Sequence, residues 1–209
     1  MNKTLKPIRI VLVGDSTVTD ETGWGGGIGG FFKKHVQIIN FARGGRSSKS
    51  FINEGRLKKA LAKKPDYLFI QFGHNDVPGK GDYRETDPDS TYMDYLKIYI
   101  RDARKTGAKP VLVTSVERRQ FDDKGKIVPS LALYANAVKR VGRAEKVPVI
   151  NLHSKSIRLF QKLGELGGQN LQPKGDRTHF NAKGGKALAK IIALELPEVF
   201  PELAEFLKK

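Results

Sequence analysis

Ile8-Arg9-Ile10-Val11-Leu12-Val13-Gly14-Asp15-Ser16-Thr17 carries the first structural signal of the chain. A β-branched, aliphatic run that stops at Gly-Asp-Ser reads as a buried strand delivering a serine hydroxyl to the end of a sheet. Ser16 is thereby a candidate nucleophile. The same residues suit an ordinary turn in which Asp15 or Ser16 caps a helix, so the choice rests on what the rest of the chain supplies.

Four more apolar runs, at 37–41, 67–72, 110–115 and 147–151, repeat the pattern. Helical spacing between them predicts helices over 28–35, 50–62, 91–105, 131–144, 154–166 and 181–196; in the third, Tyr92, Tyr95, Leu96, Tyr99 and Ile100 share one face. Strands alternating with helices, at connection lengths that demand crossovers, predict an α/β fold: a five-stranded parallel sheet with helices on both faces. Ligands of such sheets bind outside the carboxyl ends of the strands, so Ser16, Gly45, Asn75 and the late loop 167–175 are expected in one crevice. The glycine-rich segment 23–30 lacks both the P-loop lysine-serine pattern and a clean G-x-G-x-x-G after a strand. It reads as a flexible entry to the 28–35 helix. With 209 residues, no repeat and no linker, the chain is expected to be one domain over 1–209, long enough to bury roughly 70% of its unfolded surface.

The chain carries 38 Lys and Arg against 22 Asp and Glu, a net charge of +16. Such a field attracts polyanions, whether nucleic acid, acidic polysaccharide or anionic lipid, and equally describes a lysine-rich solvated surface with no dedicated partner. No dedicated nucleic-acid motif accompanies it. The absence of cysteine excludes disulfides and thiolate metal sites. No stretch approaches the roughly 20 apolar residues of a membrane span. The basic start Met1-Asn2-Lys3-Thr4-Leu5-Lys6-Pro7 is not a signal peptide, so the chain reads as cytoplasmic as written, or as a secreted or periplasmic protein whose leader has been removed. Oligomeric state is not legible.

A serine nucleophile needs a base and the base an orienter. His35 follows two lysines on the expected 28–35 helix and reads as a surface residue; His153, just past the fifth strand, reads as structural or capping. His179 lies in Asp176-Arg177-Thr178-His179, at the mouth of the last helix. On a helical turn this spacing lets Asp176 accept from Nδ1 and leaves Nε2 facing outward. A D-x-x-H pair also suits a metal pair or an N-cap, although further acidic or histidine ligands are missing nearby. Acyl transfer also needs oxyanion donors, and the N–H of Ser16, the N–H of Gly45 and the Asn75 amide are the candidates; at Gly45 a side chain would crowd the substrate. His74 is read as holding the loop by hydrogen bonds and Asp76 as pinning the same turn.

These clusters, in this order, resemble the SGNH (GDSL-type) hydrolases. Gly14-Asp15-Ser16 resembles the first block of that family, Gly45 the second, Gly73-x-Asn75-Asp76 the third and Asp176-x-x-His179 the fifth. Within the superfamily, Gly14-Asp15-Ser16-Thr17, Gly23-Trp24-Gly25, Gly45-Arg46-Ser47, Glu54-Gly55-Arg56, Phe72-Gly73-His74-Asn75-Asp76 and Asp176-x-Thr178-His179 are similar to rhamnogalacturonan acetylesterases. The resemblance implies a three-layer, flavodoxin-like sandwich, serine esterase chemistry with Ser16, Asp176 and His179 and without metal or cofactor, and an acetylated carbohydrate such as rhamnogalacturonan or pectin as substrate. Gly26-Gly27 stands where that family has an acidic or bulky residue, and the cysteines of its secreted fungal members are absent.

The positive charge adds the expectation of an anionic substrate, with Arg46, Arg56, Arg118, Arg119, Lys174 and Arg177 as possible contacts and His74 as a further substrate-binding candidate. Most of these arginines have a structural reading as well, Arg46 and Arg56 especially. Two other functions stay open: the same fold acting on other acyl esters, as a lipase, thioesterase or acetyl-xylan esterase, and a polyanion-binding protein without catalysis.

Overall fold

The computed structural model describes residues 7–208, so residues 1–6 of the basic start lie outside the described residues. Five strands, β1 (Ile8–Gly14), β2 (Val36–Asn40), β3 (Tyr67–Gln71), β4 (Lys109–Val113) and β5 (Val149–Ile150), form one sheet in the order β2-β1-β3-β4-β5. Every neighbouring pair is parallel. This is the flavodoxin-like order, and its switch point, where successive connections leave in opposite directions, falls beside β1.

Side-chain alternation along the strands assigns the two faces. Ile10 and Leu12 of β1, Tyr67 and Phe69 of β3, and Val111 and Val113 of β4 enter one core. That core is closed by α1 (Gly25–Ile28), α6 (Leu152–Gln169), α7 (Ala182–Val199) and α8 (Pro201–Ala204). Val11 and Val13, Leu68 and Ile70, and Leu112 enter the other. There α2 (Ser48–Asn53), α3 (Arg56–Leu61), α4 (Thr91–Lys105) and α5 (Ala132–Glu145) cover the sheet. Both faces being dry, the strands read as near-continuous apolar runs rather than polar-apolar alternations. Among the described residues no helix is long and apolar enough to cross a membrane.

Four local expectations are corrected. No helix spans 28–35: α1 is one turn followed by a 3-10 turn, Gly29–Phe31, and His35 lies half-buried, edge-on to Phe206 at 5.7 Å between ring centroids. The glycines before it are packed rather than flexible. A Cβ on Gly23 would lie 2.2 Å from the Thr17 carbonyl oxygen, one on Gly25 2.2 Å from that of Val18, and one on Gly27 3.0 Å from the Lys186 backbone of α7. The 50–62 helix is two helices, because Gly55 at φ +68 breaks it with a left-handed residue. α6 reaches Gln169, bent at Gly164 (φ 66, ψ 177), so the late loop begins later than its glycines suggested.

Candidate active site

β1 ends at Gly14 pressed against β3: a Cβ there would meet the Gln71 carbonyl oxygen at 2.6 Å and Val18 Cγ2 at 2.5 Å. The chain then turns on Asp15, whose Oδ1 accepts from the Thr17 N–H (2.9 Å) and hydroxyl (2.7 Å). Gln71 Nε2 donates to Thr17 Oγ1 (2.7 Å), and Trp24 Nε1 donates to Gln71 Oε1 (2.9 Å). This buried network fixes the turn from beneath. The hydroxyls of Thr19 and Thr22 each lie 2.8 Å from the Ser16 carbonyl oxygen and hold it from the side. Ser16 is left with its hydroxyl at the carboxyl edge of the sheet.

The late loop brings the partner. His179 Nε2 lies 2.8 Å from Ser16 Oγ, and His179 Nδ1 lies 2.6 Å from Asp176 Oδ2. The local frame is not the helical turn expected from the spacing. Asp176 Oδ1 accepts from the N–H groups of Thr178 (2.8 Å) and His179 (2.9 Å), an Asx-type turn, and α7 starts only after Asn181, which caps it by accepting from the Gly184 N–H at 3.0 Å. Burial works to raise the Asp176 carboxyl, but those two N–H groups and the imidazole outweigh it and hold the group below its ordinary range. The side chains of His179 and Asp176 are 34% and 33% exposed, so a substrate can reach the pair from solvent.

Around Ser16 the structure brings Gly45 and Asn75 to the same edge. Gly45 takes φ +76, and a Cβ on it would meet no protein atom within 4 Å. Its left-handed backbone conformation itself calls for glycine. Gly44 is the residue facing the nucleophile, its would-be Cβ 3.6 Å from Ser16 Cβ. The Asn75 amide makes a long contact, 3.3 Å, with the Arg46 carbonyl oxygen.

Asp76 pins this loop from below, accepting at Oδ1 from the Ser48 N–H (3.0 Å) and from the Thr86 hydroxyl (3.1 Å). Burial and the neighbouring Asp15 push its carboxyl up to about 7 against those hydrogen bonds. Asp15 goes the other way: burial would raise it, but His74 and Thr17 prevail and hold it low. His74 is 3% exposed, with Nδ1 3.6 Å from Asp15 Oδ2, beyond hydrogen-bond reach. Its Nδ1 faces the Asp15 carboxylate, and neither ring nitrogen has a partner within 3.5 Å among the described residues.

The expected substrate contacts are largely occupied. Arg46 (3.0 Å) and Arg56 both pair with Glu54, and Arg177 pairs with Glu165 at 2.8 Å. Arg46 also lines a polar hollow of about 390 Å³ beside Ser16, with Thr19, Asp20, Thr22, Asn40 and Arg43. Arg118 bonds Ser130 Oγ (2.9 Å) and the His74 carbonyl oxygen (3.3 Å). Arg119, expected as a possible substrate contact, is 2% exposed and faces inward onto the loop that carries His179. His153 is buried against Glu117, Nε2 to Oε2 2.9 Å, as a structural residue.

A model of the GDSL-like lipase/acylhydrolase family matches residues 12–187. The chain is 40% identical to rhamnogalacturonan acetylesterase RhgT of Bacillus subtilis (strain 168), over 93% of this chain and 91% of that protein. It is 39% identical to the probable rhamnogalacturonan acetylesterase YesY of the same organism, over 96% and 98%. The crystal structure of the Bacillus subtilis protein YxiM superposes with a TM-score of 0.80 at 27% identity, covering 92% of this chain and 56% of that one. An acetylxylan esterase from Geobacillus stearothermophilus shares the fold, with a TM-score of 0.70 at 15% identity over 92% and 96%. The chain belongs to the GDSL-like lipase/acylhydrolase family.

Proposed function

We propose that the protein is a serine esterase that removes O-acetyl groups from an acetylated carbohydrate of the rhamnogalacturonan type. The observation that carries the chemistry is the continuous line from Ser16 Oγ to His179 Nε2 (2.8 Å) and from His179 Nδ1 to Asp176 Oδ2 (2.6 Å). Ser16 Oγ attacks the acetyl carbonyl carbon as its proton passes to Nε2 of neutral His179, and Asp176 stabilises the imidazolium so formed. The oxyanion is received by the N–H groups of Ser16 and Gly45 and the Asn75 amide. Collapse breaks the bond to the sugar oxygen, which takes the proton from His179. Water then attacks the acetyl-serine carbonyl, giving its proton to His179, and acetate leaves with Ser16 restored.

Two features support the substrate. The relatives at 40% and 39% identity carry the rhamnogalacturonan acetylesterase name, and the net charge of +16 favours an acidic polymer. The test is acetate release from acetylated rhamnogalacturonan, acetylated xylan and 4-nitrophenyl esters of increasing acyl length, at low and high salt. The reading expects acetyl over longer chains, rhamnogalacturonan over xylan, and a salt-dependent loss of rate on the acidic polymer alone. Preference for long acyl chains, or equal salt dependence on polymer and small neutral ester, contradicts it.

A further inference from the structure

We propose that Arg119 is the positioning residue of the base: it sets the attitude of the Asp176–His179 segment toward Ser16 from behind. This rests on the reading of Ser16, His179 and Asp176 as the reacting groups. The guanidinium Nη2 donates to the carbonyl oxygens of both Asp176 (3.2 Å) and His179, the first and last residues of the D-x-x-H turn. Nε donates to Gln172 Oε1 (2.5 Å), and the Arg119 backbone N–H donates to the Arg177 carbonyl oxygen (2.9 Å). One residue thus holds the loop at four points between 172 and 179.

The guanidinium is itself held. Its central carbon stands 4.0 Å from the Phe180 ring centroid and 5.5 Å from that of Phe160. Burial pushes its pKa down to about 10, which leaves it cationic at neutral pH. A buried guanidinium carries a desolvation cost that an apolar side chain of the same volume would avoid. What it offers in return is a rigid planar fork that reaches two carbonyl oxygens and an amide at once, a geometry the single ammonium of lysine cannot match. His179 Nε2 and Ser16 Oγ are brought together from opposite ends of the sequence, and a displacement on the order of 1 Å between reacting groups costs roughly 100-fold in rate.

The test is kinetic and uses the full chain. Arg119→Met keeps bulk and removes every side-chain donor; Arg119→Lys keeps the charge; Gln172→Leu removes the Nε partner and is the milder variant should Arg119→Met fail to fold. With 4-nitrophenyl acetate, Arg119→Met is expected to lower kcat by about 10- to 100-fold with KM little changed, and Arg119→Lys to recover part of it. Combined with His179→Ala, Arg119→Met is expected to cost nothing further in the residual rate, because there is no base left to position. A folded Arg119→Met or Gln172→Leu enzyme with wild-type kcat overturns the proposal, as does an Arg119→Met loss that persists unchanged in the His179→Ala background. Full activity in His179→Ala alone would instead sink the reading of His179 as base.

Discussion

The Phe180 N–H donates to the Thr22 carbonyl oxygen at 3.0 Å, tying the loop of the base to the turn of the nucleophile one residue away from His179. Thr22 in turn reaches the Ser16 carbonyl oxygen with its hydroxyl at 2.8 Å. The short contact between Ser16 and His179 is therefore supported by the backbone on its own side of the sheet edge, in addition to the grip of Arg119 from behind.

Asp176→Asn should separate tautomer control from fold. The variant retains an acceptor for the Thr178 and His179 N–H groups, but its amide can oppose the Nδ1 proton. The expected result is a fall in kcat of about 10³- to 10⁴-fold, measured on 4-nitrophenyl acetate, with a folded protein whose melting temperature falls only modestly through loss of the carboxylate's interactions with the Thr178 and His179 N–H groups. A loss below tenfold would argue against the role of Asp176.

Asn75→Ala removes the one side-chain donor of the oxyanion group. The rate of acetate release should drop on the order of 10²-fold, seen in kcat more than in KM. An effect confined to KM would assign Asn75 to ground-state binding instead.

Two glycines that look alike in sequence should behave differently. Gly23→Ala forces a Cβ against the Thr17 carbonyl and should cost about 1–3 kcal/mol of stability along with activity, whereas Gly30→Ala meets nothing within 4 Å and should change neither. Urea titration of both variants checks this. It also bears on what the sequence could show. The sheet was legible because each strand is an apolar run halted by a polar or glycine turn, and the D-x-x-H and Gly-Asp-Ser clusters carry their chemistry in a few neighbouring residues. The glycines of 23–30 were not, since Gly23 and Gly25 make room for the Thr17 and Val18 carbonyls and Gly27 for Lys186 of α7, approaches that only the folded chain creates. Nor was Arg119: an Arg-Arg pair in a polar loop looks solvated until Phe160 and Phe180 close over it.

Asp76 makes a pH prediction. Its carboxyl is raised to about 7 in the folded state, so between its ordinary value and 7 the native state holds a proton that the unfolded state has lost. Its contribution to stability is present below the unfolded value and is lost as pH rises through about 7. Asp76→Asn keeps the acceptor for Ser48 and removes the titration. The variant should lose less stability than the wild type between pH 5 and pH 8, read as the change in urea midpoint. Equal changes in the two proteins would contradict the assignment.

The central claim is that Ser16 is the nucleophile, and acetate release by Ser16→Ala tests it most directly. The predicted result is a folded protein whose hydrolysis of 4-nitrophenyl acetate and of acetylated rhamnogalacturonan is lower by roughly 10⁴- to 10⁶-fold. Wild-type acetate release by Ser16→Ala would contradict it.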